Sequence, residues 1–76
     1  MKLRVQDDRL LKVFGNNMRV YMDAEGMSFS DLSNVTGISR NALMGYAAGR
    51  YAPTLCAIVV IAQALDADIN ELIGVE

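Results

Sequence analysis

All seven basic side chains (Lys2, Arg4, Arg9, Lys12, Arg19, Arg40 and Arg50) lie within the first fifty positions. Set against Asp7, Asp8, Asp23, Glu25 and Asp31 they leave a balance of +2 over residues 1–50. Residues 51–76 carry Asp66, Asp68, Glu71 and Glu76 and no base, a balance of −4. A net charge of −2 distributed this unevenly points to one face that meets anions and another that does not. Acid–base and metal chemistry have little to work with. The chain has no histidine, the commonest general base, and a single cysteine, Cys56, so neither a disulfide framework nor a zinc cluster is expected. Asp66, Asp68, Asn70 and Glu71 lack the spacing of a metal-binding loop and read as caps and turns. No catalytic residue, metal or cofactor is expected.

Seventy-six residues, 53% of them apolar, make one small domain spanning 1–76. Such a chain buries only roughly 60–65% of the surface its unfolded form exposes and has little room for a small-molecule substrate cleft. The early residues Lys2, Arg4, Asp7, Asp8 and Arg9 interrupt any apolar run, so no secretory leader is expected. The longest apolar run, Leu55 to Ala62, falls far short of the ~20 residues a membrane span needs. A cytoplasmic protein is the expectation.

No useful alternating strand pattern occurs, and the chain reads as all-α, a compact bundle of five helices. Leu10, Val13, Phe14, Met18 and Tyr21 form a helical stripe within a first helix from about Gln6 to Glu25. Asp7 and Asp8 stand at its start and Gly26 just beyond its end. Ser28 and Asp31 resemble a capping box, opening a short helix over Phe29 to Val35 that closes at Gly37. Ser39 then caps a helix over Arg40 to Ala47, with only Thr36, Gly37 and Ile38 between the two. Two short helices joined by a glycine-containing turn are the signature of a helix-turn-helix, here at about 28–47. Leu32, Val35, Ile38, Leu43 and Tyr46 are expected to face inward and set the interhelical angle.

Ala48 to Pro53 form a loop, and Thr54 caps the strongly apolar segment Leu55 to Leu65, which reads as a buried central helix carrying Cys56 as packing. Asp68 and Glu71 open a short last helix at about 69–73. Ile69, Leu72, Ile73 and Val75 offer more apolar area than one short helix can bury beneath it, and are the expected dimer surface.

The order Phe14-Gly15, Met18-Arg19, Gly26-Met27-Ser28, Leu32, Gly37-Ile38-Ser39-Arg40, Leu43, Gly49-Arg50, Pro53-Thr54, Leu65 and Leu72 resembles the phage repressor and Cro (XRE-type) helix-turn-helix domains over residues 10–73. That resemblance implies a DNA-binding transcriptional regulator that acts as a homodimer and lays the second helix of its motif in the major groove. By this likeness Ser39 to Ala47 is the recognition helix, and Ser39, Arg40, Asn41, Met44 and Gly45 are its base-facing positions. Arg40 has the fork that fits guanine O6 and N7, and Asn41 the amide that fits adenine N6 and N7. Asn16, Asn17, Arg19, Ser28, Phe29 and Arg50 match positions that touch phosphates. The chain departs from the family pattern at three places. Phe29 replaces a usual Gln, Ala47 a usual Glu, and Gly45 stands where a longer reading side chain often points.

Some residues keep two readings. Phe29 either folds onto the core rim or offers an apolar contact, and Met44 either touches a thymine methyl or fills a gap. Arg40, Asn41 and Arg50 are either contacts or solvated residues. The function also has an alternative: a helix-turn-helix fold whose partner is a protein, as in antirepressor- or antitoxin-like modules. The acidic final third and the departures at Phe29 and Ala47 favour that alternative.

Overall fold

The computed structural model describes residues 8–74 and contains five helices and no strand among them: α1 (Asp8–Glu25), α2 (Phe29–Thr36), α3 (Arg40–Ala47), α4 (Leu55–Ala64) and α5 (Ile69–Ile73). Gln6, Asp7 and Val75, to which a helix start and part of a dimer surface were assigned, lie outside the described residues. No described helix is long and apolar enough to cross a membrane.

Helix boundaries follow short-range hydrogen bonding. At α2 the capping box closes in both directions: Asp31 N–H donates to Ser28 Oγ and Ser28 N–H to Asp31 Oδ2, each at 3.0 Å. Ser39 Oγ accepts from Ala42 N–H at 3.1 Å and Thr54 Oγ1 from Ala57 N–H at 3.0 Å. Asp68 Oδ1 accepts from Asn70 N–H at 2.7 Å. Each such cap stabilises its helix by about 1 kcal/mol. Gly37 ends α2 at φ +76°, a conformation costly for any residue with a Cβ. Two hydroxyls then fix the turn. Ser33 Oγ donates to the Ile38 carbonyl at 2.6 Å, and Thr36 Oγ1 accepts from Ile38 N–H at 3.1 Å while donating to the Leu32 carbonyl.

The core gathers Phe14, Met18, Met22, Leu32, Leu43, Tyr46, Ile61, Leu65 and Leu72, and no polar side chain among the described residues is buried with them. Helix α1 braces α3 and α5, α2 packs on α3 and α4, and α4 on α5. Gly15 lets α1 and α3 approach closely, because a Cβ there would stand 2.6 Å from the Ala47 carbonyl oxygen.

The buried stripes are rotated from those expected. On α1 the inward residues are Leu11, Phe14, Gly15, Met18 and Met22, while Leu10 is exposed and Val13 and Tyr21 are half-buried. On α2 only Leu32 is buried, and Val35 is 64% exposed. Phe29 packs against the core instead, and the two residues lie on opposite flanks of Leu32, so an eight-residue helix turned toward one turns away from the other. Ile38 is half-buried against the core.

Helix α4 is not buried all round. Ala57, Ile61 and Ala62 face inward, Ile58, Val59 and Val60 are half-buried, and Leu55 and Cys56 in the first turn are exposed. The remaining helices of so small a domain cover one face of α4, the face that carries Ala57, Ile61 and Ala62. At α5, Leu72 is fully buried in the chain's own core and cannot present its side chain to a second copy; Ile69 is exposed and Ile73 half-buried.

Candidate nucleic-acid interface

Helix α3 is seated by Leu43, Tyr46 and Ala47, all buried, and its opposite face carries exposed Ser39, Arg40, Asn41 and Met44. Ser39 caps through Ala42 N–H, so the N–H groups of Arg40 and Asn41 in the first turn have no partner within the helix. A guanidinium, an amide and two open backbone donors thus share the positive end of one helix dipole. The expected readers Ser39, Arg40, Asn41 and Met44 therefore stand on one face.

Gly45 does not belong with them. It is buried, and the ring of Tyr51 lies over it: a Cβ at position 45 would fall 2.6 Å from Tyr51 Cε1 and closer still to Cζ and Oη. The phenol O–H donates to the Asn41 carbonyl at 3.1 Å. Gly45 is a seat for an aromatic side chain, not a gap on the helix. Tyr51 carried no role in the sequence reading. Its signal was the glycine in the middle of α3, but the fold-back of the loop that fills it depends on tertiary structure.

Around α3 lie the expected phosphate contacts. Arg50 is exposed in the loop after α3, and its backbone N–H bonds the Gly45 carbonyl at 3.0 Å, which ties that loop to α3. Asn16 and Arg19 are exposed on α1 and line, with Lys12, Ala47 and Ala48, a groove of about 240 Å³ against the end of α3. None of these five residues is acidic. The family's usual Glu would stand at Ala47, and its replacement by a methyl leaves the groove positive. Lys12 was missed by the sequence reading, although its spacing of four and seven residues from Asn16 and Arg19 places all three on one helix face.

Of the other expected contacts, two are engaged within the fold and the third offers its backbone. Asn17 Nδ2 donates to the carbonyls of Glu71 at 2.9 Å and Leu72 at 3.1 Å, so its amide caps the end of α5 and is spent within the fold. The Ser28 N–H donates within the capping box, and its hydroxyl oxygen accepts there. Phe29 is half-buried with its ring on the core rim, leaving its backbone N–H at the start of α2 as the group able to meet a phosphate. Asp31 completes that start. The backbone N–H of Ser28, and then its hydroxyl, hold the Asp31 carboxyl below the ordinary carboxylate range. Among the described residues no three His, Cys, Asp or Glu side chains gather as a metal site.

Comparison with known proteins agrees with this fold. A family model described as the Cro/C1-type HTH DNA-binding domain matches residues 17–76. The restriction-modification controller protein C.AhdI from Aeromonas hydrophila is 32% identical, with 82% of this chain and 94% of that chain covered and a TM-score of 0.77. A hypothetical transcription factor, NHTF from Neisseria, is 24% identical over 96% of this chain and 85% of that one, with a TM-score of 0.79, a likeness of fold. No curated protein sequence matches the chain.

Proposed function

The chain belongs to the Cro/C1-type helix-turn-helix DNA-binding family, and from that premise we propose that it is a sequence-specific regulator of transcription that binds double-stranded DNA as a homodimer. Helix α3 enters the major groove. Arg40 and Asn41 read base edges, Ser39 and Met44 flank them, and Asn16, Arg19, Lys12, Arg50 and the start of α2 hold phosphates. The observation that carries this reading is the exposed N-terminal face of α3, with Arg40 and Asn41 side by side over a first turn whose N–H groups are open. The likeness to a protein described as a controller supports a regulatory role for that binding.

One recognition helix spans only a few base pairs, so affinity and specificity call for two copies on a pseudo-palindrome. Exposed Ile69, half-buried Ile73 and Leu55, which is 76% exposed, offer apolar area for a second copy. Selection of bound sites from random duplex DNA tests the reading. The expected product is a pair of inverted half-sites about 10 base pairs apart, centre to centre. Sedimentation that finds only monomer at tens of micromolar, with and without selected DNA, would overturn the dimer. A protein that binds no duplex even in low salt would overturn the DNA reading and leave the protein-binding module in its place.

A further inference from the structure

Position 45 of the recognition helix has no side chain, yet its place on the outer face is occupied. The Tyr51 ring is held on three sides: Gly45 lies beneath it, the Tyr46 ring meets it edge-on with centroids 5.6 Å apart and planes at 78°, and the Asn41 carbonyl accepts its phenolic proton. The absence of a Cβ at Gly45 opens the approach to that carbonyl, whose second lone pair remains after the helical bond is made. Asn41 and Gly45 are one turn apart, so the pinned ring continues the row that Asn41 begins. Tyr51 is still 42% exposed, as open as Met44 at 41%. An aromatic side chain fixed in this way contacts a partner with little further loss of freedom.

The direction of its hydrogen bond decides what Tyr51 can read. A phenol has one proton, and here it is given to the Asn41 carbonyl. With that proton committed, the oxygen's lone pairs can meet a partner only as an acceptor. In the major groove the groups that donate to an acceptor are the exocyclic amines, adenine N6 and cytosine N4; guanine O6 and N7 and thymine O4 are acceptors themselves. Resting on the DNA-binding reading above, we infer that Tyr51 is a specificity-determining contact, its hydroxyl oxygen accepting from an adenine or cytosine amine at one position of each half-site. It supplies from the following loop what position 45 lacks. The Asn41 side chain is not consumed by this arrangement, because only its backbone carbonyl is engaged.

The test is site selection from random duplex DNA with the full chain, wild type beside Tyr51→Phe and Gly45→Ala. The wild type should enrich adenine or cytosine at one position per half-site. Tyr51→Phe leaves the ring its seat on Gly45 and against Tyr46, and removes the oxygen together with its bond to the Asn41 carbonyl. It should lower discrimination at that position by roughly three- to tenfold, the worth of one hydrogen bond, and leave the other positions as they were. Gly45→Ala evicts the ring and should alter the preference at the same position. A purely structural tyrosine would leave the selected sequence unchanged, so identical site preferences for wild type and Tyr51→Phe would overturn the inference, as would a loss spread evenly over all positions. Should Gly45→Ala fail to fold, Tyr51→Phe decides alone. Wild-type protein that selects no sequence would defeat the DNA-binding reading and the inference together, a result separable from the others because it appears before any variant is made.

Discussion

Gly15 on α1 lies so close to Ala47 on α3 that a methyl group at position 15 would stand 2.6 Å from the Ala47 carbonyl oxygen and 2.9 Å from its carbonyl carbon. Both sides of this contact are helix backbone, which cannot step aside as the end of a flexible side chain can. Gly15→Ala is therefore expected to destabilise the fold, by roughly 1–3 kcal/mol as overpacked sites do, despite alanine's better helix propensity. Urea unfolding of the two proteins measures this, and an unchanged or raised midpoint would show that α1 and α3 do not cross as tightly as described.

That contact also marks where sequence reading stops. Helix ends were legible because their signals are local: Ser28 with Asp31, Ser39 and Thr54 each bond a backbone N–H three residues on. The α3 bounds, the turn at Gly37 and the seating of Leu32, Leu43 and Tyr46 follow from such signals and from helical periodicity. The orientation of a helix about its own axis is set by its neighbours, and there periodicity misled. Leu10 and Leu11 are adjacent and equally apolar, but only Leu11 is covered. In α4 nearly every residue is apolar, so the pattern held no information about which face would be left open, and Cys56 and Leu55 lie on the uncovered part. At the candidate interface the charged and amide residues of α3 were readable from the motif. The fates of Asn17 and Tyr51 were not, since one is decided by a helix fifty-four residues away in sequence and the other by a loop folding back.

The capping box at α2 gives an acid-limb prediction. Hydrogen bonds from Ser28 lower the Asp31 value in the folded state. A carboxyl with a depressed folded value stabilises the fold above its unfolded value, near 3.9, and loses that contribution as pH falls through the folded one. Asp31→Asn should therefore cost stability at neutral pH and little near pH 2, which makes the acid limb of the stability curve shallower. Urea midpoints taken at intervals between pH 2 and 7 provide the check. Parallel curves for the two proteins would remove Asp31 from the cap's energetics.

A second titration acts at the other end of the pH scale. Tyr21 on α1 donates its phenolic proton to the Glu71 carboxylate on α5, beside the Asn17 amide that caps the same helix. The bond to Glu71, then burial, then the charges of Glu71 and Asp68 raise the Tyr21 value. Because the folded value lies above the unfolded one, near 10, the contribution is complete below pH 10 and disappears as pH rises through the folded value. Tyr21→Phe should lower stability at neutral pH and flatten the alkaline fall. Denaturation followed from pH 7 to 11 tests it; a variant as stable as the wild type at neutral pH, with an equally steep alkaline limb, would mean the bond contributes nothing.

Contacts that read and contacts that hold should fail differently. Asn41 is exposed on α3 and Arg50 in the loop beside it, so the proposed roles give opposite signatures. Asn41→Ala should cost roughly 1–3 kcal/mol on the selected site and relax preference at one base pair, with weak non-specific binding left intact. Arg50→Ala should weaken every sequence alike and reduce the dependence of log K on log salt by about one unit per half-site. With Lys12, Arg19 and Arg50 as the cationic phosphate contacts proposed for each copy, the wild-type slope should be about five units for a dimer. Binding isotherms on selected and scrambled duplexes at several salt concentrations separate the two effects. Equal losses on every sequence from Asn41→Ala and Arg50→Ala would show that α3 holds DNA without reading it. In that event sequence preference would have to come from DNA shape, and Arg40→Ala on the same duplexes would decide whether another residue of α3 meets a base edge.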